Sequence, residues 1–146
     1  MEEYFHDVCL RTARLSTCAS RKVGAVLVRD NRILAIGFNG SPSGRPHCEN
    51  KFGIVDNKSI RMKHHEWSKK NEIHAEANLI AFCAKNGIRT EGTELYISLS
   101  PCIDCAKLIV ASGIKKVSYI EKYDLDTTGL LFLAENDIDC EYISQK

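Results

Sequence analysis

Residues 94–120 read ELYISLSPCIDCAKLIVASGIKKVSYI, and the patterning of this stretch decides the fold. Glu94 to Leu99 is a short run of the buried-strand type. Ile103 to Ala111 has helical apolar spacing and is stopped by Ser112-Gly113, and Lys116 to Ile120 is β-rich again. A strand, a helix and a strand joined this closely imply a right-handed parallel crossover. Upstream, Lys22 to Val28 and Arg32 to Phe38 flank the polar turn Arg29-Asp30-Asn31, which reads as an antiparallel hairpin. Parallel and antiparallel pairs together give a mixed sheet. With a helix over Thr128 to Glu135 and an edge strand over Asp139 to Ile143, the expectation is an α/β fold in three layers, α/β/α, around a central five-stranded mixed sheet.

The remaining segments fit around that sheet. Glu2 to Thr17 carries Phe5, Val8, Cys9, Thr12 and Ala13 at helical spacing and reads as an amphipathic packing helix. Asn39 to Pro46 is dense in turn residues, and from Ser41 to Glu72 the only periodic signal is a possible helical turn around Ser59 to Trp67. A connection of that length in a compact domain is expected to be fixed by something functional. Glu72 to Asn86 reads as a helix, stopped at Asn86-Gly87, with one apolar stripe of Ala77, Ile80, Ala81 and Ala84 and a second of Leu79, Phe82 and Cys83. Two stripes exceed what covering one sheet needs, so the second is assigned to another subunit.

Composition narrows the function. The 146 residues, 44% hydrophobic, read as one domain over 1–146. Lys and Arg number 20 against 19 Asp and Glu, so no global field recruits nucleic acid or an anionic membrane. The opening MEEYFHDVCL lacks the basic start and apolar run of a signal peptide, and no stretch approaches the roughly 20 apolar residues of a membrane span. The expected location is cytoplasmic, where an odd count of seven cysteines reads as metal ligands plus buried thiols and not as disulfides.

Chemistry concentrates at His74-Ala75-Glu76 and Pro101-Cys102-Ile103-Asp104-Cys105. One imidazole and two thiolates are three ligands for a tetrahedral Zn²⁺, leaving a fourth position open, as in catalytic zinc sites. Residues two apart share a site only at a helix N-terminus, so His74 and Glu76 open one helix while Cys102 and Cys105 open another. Both positive helix ends favour the thiolates. A zinc with this ligand set has about zero net charge and acidifies water less than a three-histidine site, so a neighbouring base is needed, and Glu76 is the candidate. Cys-x-x-Cys alone would equally be half of a closed structural site. The His-x-Glu partner, with a strand between the two helix starts, separates the readings.

His-x-Glu followed by Pro-Cys-x-x-Cys is the signature of the zinc-dependent nucleobase deaminases, in which the glutamate is the general acid and base and not a ligand. The runs KVGAVLV, GFNGSPSGRPHCEN, HHEWSKKNEIHAE, LSPCIDCAK and SGIKKV together resemble one family within that superfamily, the deoxycytidylate deaminases of bacteriophage type. GFNG stands where that family usually has G-Y-N-G. The resemblance implies a cytidine deaminase-like fold and hydrolysis of dCMP to dUMP and ammonia, feeding dTMP synthesis. A dual dCMP/dCTP deaminase is the alternative. A deaminase of polynucleotides is disfavoured by the near-neutral charge, and a non-catalytic zinc module by the presence of Glu76.

The same resemblance assigns roles to further residues. Lys22, Ser41 and Tyr123 are implied phosphate contacts, although Lys22 could equally be a solvated strand end and Tyr123 a packing ring. Asn39 is implied to bind sugar or base, and the Ser100 backbone to accept from the 4-amino group. A second, structural zinc is implied at Cys18, Cys48, His64 and Glu72, with His65 as the adjacent competitor for His64. The family commonly forms hexamers, activated by dCTP and inhibited by dTTP with Mg²⁺. The matching regulatory or interface positions are Gly37, Phe38, Gly40, Phe82 and Lys85. Lys85 stands where phage relatives commonly have Arg, and the two are not equivalent at a bidentate contact.

Overall fold

In the computed structural model, residues 1–52 and 58–143 are described, apart from the side chains of Glu49 and Asn50. Residues 53–57, within the long connection read from the sequence, lie outside them. In chain order the elements are α1 (Glu2–Ala13), β1 (Gly24–Arg29), β2 (Arg32–Phe38), α2 (Cys48–Phe52), α3 (Lys58–Asn71), α4 (Ala75–Asn86), β3 (Glu94–Leu99), α5 (Ile103–Ala111), β4 (Lys116–Glu121), α6 (Thr128–Glu135) and β5 (Asp139–Tyr142).

The five strands lie in the order β2-β1-β3-β4-β5. The β1–β2 and β1–β3 pairs are antiparallel, while β3–β4 and β4–β5 are parallel. This is the expected mixed sheet. Alternation along β1 explains its unbroken apolar run, because a strand points successive side chains to opposite faces. Ala25 and Leu27 join Leu79, Leu95, Ile97, Ile109 and Leu133 under α4, α5 and α6. Val26 and Val28 join Phe5, Cys9 and Tyr96 under α1, where the Phe5 and Tyr96 ring centroids are 5.2 Å apart. One helix thus covers one face and three cover the other.

Five sequence expectations are corrected. The first helix ends at Ala13 instead of Thr17, because Ser16 turns away to donate to the Asn39 carbonyl at 2.7 Å. The first strand begins at Gly24 instead of Lys22, since the Asn39 amide holds the preceding residues: Val23 N–H donates to Asn39 Oδ1 and Asn39 Nδ2 donates to the Arg21 carbonyl, both at 2.8 Å. The possible turn at Ser59 to Trp67 is a helix of 14 residues, and Glu72 continues its hydrogen bonding to the Ser68 carbonyl at 2.9 Å instead of opening α4. On α4 the sheet-facing stripe is Ala75, Leu79 and Cys83, whereas Ala81, Phe82 and Ala84 are exposed in the single chain. Residues four apart stack on one helix face, and Gly37 lets that face approach. A Cβ on Gly37 would lie 2.6 Å from the Ala75 carbonyl oxygen.

Candidate metal centre and active site

Two helix starts supply the central donors. His74 is the N-cap of α4 in extended conformation (φ −67°, ψ 154°), and Cys102 is the N-cap of α5 (φ −72°, ψ 172°). Cys102 Sγ accepts the Cys105 N–H at 3.5 Å, a cap made with sulfur. His74 Nδ1 lies 3.5 Å from Cys102 Sγ and 3.4 Å from Cys105 Sγ. With Zn–S near 2.3 Å and Zn–N near 2.0 Å, the sulfur–nitrogen edge of a tetrahedral site is about 3.5 Å, so these spacings fit the ion. His74 is exposed, Cys102 half-buried and Cys105 buried, so the donor set is open to solvent on one side.

Glu76 sits in the first turn of α4, 5% exposed, outside that donor set. Burial pushes its carboxyl up to about 7, against the pull of its own backbone N–H and of His74. A carboxyl poised near neutrality beside an open metal position is suited to accept a proton and return it. The Cys102 thiol is held down to about 4, chiefly by hydrogen bonding from the Cys105 thiol and then from His74. One thiolate is therefore available before any metal arrives.

A second donor set brings together Cys18, Cys48, His64 and Glu72, all four donor atoms within 4.8 Å of one another. His64 Nε2 lies 3.4 Å from Cys18 Sγ and 3.3 Å from Glu72 Oε1, again tetrahedral edge lengths. Cys18, Cys48 and His64 are buried, so this set is closed where the first is open. Glu72 Oε2 is buried without a hydrogen-bond partner. A buried carboxylate pressed against two thiols and an imidazole is costly unless a cation compensates it, so the donor chemistry fits a structural Zn²⁺. The structure also separates the two histidines: His64 is 7% exposed inside the set, while His65 is exposed and outside it.

Both donor sets border one cavity of about 340 Å³, lined also by Ser20, Arg21, Asn39, Arg61, Ser100 and Tyr123. Asn39, Ser100 and Tyr123, expected from the sequence to contact substrate, line this cavity. Ser100 Oγ accepts the Tyr123 N–H at 2.8 Å, joining these two walls. Lys22 and Ser41 do not line the cavity. Lys22 Nζ donates to the Ser16 carbonyl at 2.6 Å and borders a different hollow, and the Ser41 hydroxyl is buried without a partner. Arg21 and Arg61 take their place in the lining. Sequence reasoning passed over both, although Arg21 adjoins a residue it chose.

The regulatory positions divide. Gly37 is buried under α4; Gly40 pairs with Ile73 just before His74, its N–H donating to the Ile73 carbonyl at 3.1 Å. Asn78 Nδ2 donates to the Phe38 carbonyl at 2.8 Å, so the GFNG segment is tied to the catalytic helix. Phe82, 47% exposed, and Lys85 lie on the solvent side of α4.

Gly129, also unforeseen, opens α6 against the Pro101-Cys102 peptide. A Cβ there would fall well inside contact of the Pro101 carbonyl oxygen and 2.8 Å from the Cys102 carbonyl carbon. We expect Gly129→Ala to cost about 2–3 kcal/mol of stability and to displace the Cys102 ligand, weakening zinc binding. Thermal melting and zinc titration check this, and an unchanged zinc affinity would refute the positioning role.

The sequence profile described as the cytidine and deoxycytidylate deaminase zinc-binding region matches residues 1–121. The chain belongs to the cytidine and deoxycytidylate deaminase family. Within this family it is 43% identical to the deoxycytidylate deaminase of Enterobacteria phage T2, over 78% of this chain and 76% of that protein. It is likewise 43% identical to the deoxycytidylate deaminase of Enterobacteria phage T4, over 78% and 74%. The dCMP deaminase of cyanophage S-TIM5, solved in complex with dCMP and dUMP, superposes with a TM-score of 0.81 at 32% identity, covering 97% of this chain and 96% of that one.

Proposed function

We propose that this deaminase hydrolyses dCMP to dUMP and ammonia, supplying dUMP for dTMP synthesis. The observation that carries the proposal is the placing of Glu76, buried and unligated, beside an open two-cysteine, one-histidine donor set in a nucleotide-sized cavity. The dCMP and dUMP complex of the cyanophage relative supports the choice of substrate.

His74, Cys102 and Cys105 would hold a catalytic Zn²⁺, which would supply Lewis-acid activation of a water. Glu76 is placed to take a proton from a water attacking C4 of the cytosine ring and to deliver it to N3. The same carboxylate then takes the remaining proton of the hydroxyl added at C4 and passes it to the amine, so that the C4–N bond breaks, ammonia leaves and a carbonyl remains. The Ser100 carbonyl is available to accept from the 4-amino group, and Asn39 and Tyr123 flank the substrate in this reading. Cys18, Cys48, His64 and Glu72 hold a second, structural Zn²⁺, making two ions per chain.

The exposed Ala81, Phe82 and Ala84 support assembly through α4, in a hexamer by analogy with the family. The ties from Phe38 to α4 and from Gly40 to Ile73 just before it give dCTP (activating) and dTTP (inhibiting), each with Mg²⁺, a route to the site through Gly37 to Gly40 and Lys85. We assign the enzyme to the cytoplasm, where thiols stay reduced and free to ligate metal; four of the seven cysteines lie in these two donor sets.

Assay of ammonia release from dCMP, dCTP, deoxycytidine and single-stranded DNA tests the reading. Turnover of dCMP well above the others is expected, sigmoidal in dCMP and made hyperbolic by dCTP. Comparable turnover of dCTP would favour the dual activity, and hyperbolic kinetics indifferent to dCTP and dTTP would defeat the regulatory part.

A further inference from the structure

The outer face of α3 collects charge in a way that the helix itself does not favour. Lys58, Arg61, Lys63, Lys69 and Lys70 are all exposed, against one acid, Glu66. This one helix holds five cations in a chain whose net charge is +1, which leaves the remainder net negative. Lys69 and Lys70 have a local reason to be there. They sit in the last turn, at the negative end of the helix dipole, and Lys69 Nζ lies 3.8 Å from Glu66 Oε1. The first turns offer no such reason. Lys58 opens the helix at the positive end of its dipole, the first turn holds no acid, and Arg61 follows Lys58 by one turn as a like charge. Lys58, Arg61 and Lys63 make no ion pair among the described residues.

This misfit borders the catalytic cavity. Lys58, Arg61, Met62, His65 and Glu66 line an open hollow on the outside of α3. Arg61 and His65 also line the cavity that holds both donor sets, so hollow and cavity meet along that edge. Lys51, exposed near the end of α2, adds a further cation where Phe52 packs α2 against His64 and Trp67 of α3.

Resting on the dCMP reading above, we propose that the exposed face of α3 is an electrostatic capture surface for the incoming nucleotide, drawing its phosphate dianion to the cavity edge at Arg61 and His65. Lys58 and Lys63 lie outside the cavity lining, so they contribute field and no contact with bound substrate. In dilute salt, a cation about 12 Å from a dianion raises its local concentration about twofold, and several such cations multiply. With the rest of the chain net negative, an anion is led to this face before any other. The charges that the helix dipole disfavours thus serve encounter with the substrate.

The test measures kcat/KM for dCMP and for deoxycytidine in the zinc-loaded enzyme at ionic strengths of about 0.01 M and 0.15 M, where the Debye length is about 30 Å and 8 Å. In the wild type, kcat/KM for dCMP is expected to fall about tenfold over this range, while that for the neutral deoxycytidine stays level. Lys58→Gln with Lys63→Gln should lower kcat/KM for dCMP about fourfold at the lower ionic strength and little at the higher. Its kcat for dCMP, and both parameters for deoxycytidine, should be unchanged. Arg11→Gln with Arg14→Gln, at exposed positions at the end of α1, changes net charge equally and should keep the wild-type salt response. Since Lys58 opposes the helix dipole, the α3 variant should melt no lower than the wild type. A lower melting temperature would show that the two lysines serve the helix, removing the misfit on which the proposal rests. An equal salt response for dCMP and deoxycytidine, or equal effects of the two double variants, would overturn the capture role and leave the dCMP reading standing. Turnover of deoxycytidine with none of dCMP would overturn both.

Discussion

Glu76→Gln is expected to leave zinc content and fold intact while reducing ammonia release by about 10⁴-fold, the upper range for general acid–base catalysis, because one carboxyl performs both proton transfers. Glutamine preserves the shape and a hydrogen-bonding oxygen but cannot accept and return a proton. The size of the effect follows from burial: at 5% exposure, no bulk buffer reaches the position to substitute for it. Metal analysis separates the possible outcomes. A loss of zinc would make Glu76 a ligand, contrary to its place outside the His74, Cys102 and Cys105 donor set. Retained zinc with retained turnover would make it a buried structural acid, and the proton route would have to be sought elsewhere. Binding of dUMP should change little, since the lost interaction belongs to the transition state and not to the product complex.

Burial also explains which parts of this molecule can be read from its sequence. The β3–α5–β4 crossover was legible because its strands are largely buried, so bulky apolar and β-branched residues recur along both. The two helix starts were legible because a metal demands particular residue types at particular spacings. By contrast, α3 has one fully buried residue among those described, His64, and its inner face contacts a metal-donor set and aromatic rings instead of an apolar core. Phe52 lies 5.4 Å from His64 and 5.6 Å from Trp67, ring centroid to ring centroid. A helix held by ligands and rings leaves little apolar period to detect. Arg21 went unnoticed for a different reason: neighbouring residues of an extended chain face opposite sides, and the Asn39 contacts that hold this segment are long-range. Gly129 carries no signal beyond its small size, because the constraint on it is the distant Pro101-Cys102 peptide. On α4, apolar residues around much of the helix made two stripes look equivalent, and the face bearing Ala75, Leu79 and Cys83 is the one that packs on Gly37 and the sheet.

Removing the outer donor set should show how the two sites depend on each other. Cys48→Ser is expected to reduce bound zinc from two ions to one per chain after mild chelation, the remaining ion being the one required for turnover. The set ties Cys18 beyond α1 and Cys48 at the start of α2 to His64 and Glu72 along α3, segments that otherwise share little core. Coordination is therefore stability for this region, and losing it should cost about 3 kcal/mol or more, which for a chain of this size lowers the melting temperature by about 10 °C. Hydrogen exchange should rise in α2 and α3 and remain slow in β1, β3 and β4. The kinetic consequence follows from geometry. Cys18 precedes Arg21 by three residues and His64 follows Arg61 by three, so the same ion would clip together the two walls that carry the guanidinium groups. The KM for dCMP should then rise more than kcat falls, because His74 and Glu76 are still held by the Gly40–Ile73 bridge and the α4 packing on β2. Cys140→Ser, on the edge strand β5 and outside both donor sets, is the control and should leave zinc content unchanged. A wild-type enzyme purified with one zinc per chain, fully active, would remove the second ion from this account. The burial of Glu72 Oε2 among two thiols and an imidazole would then need a proton in place of a metal to compensate it.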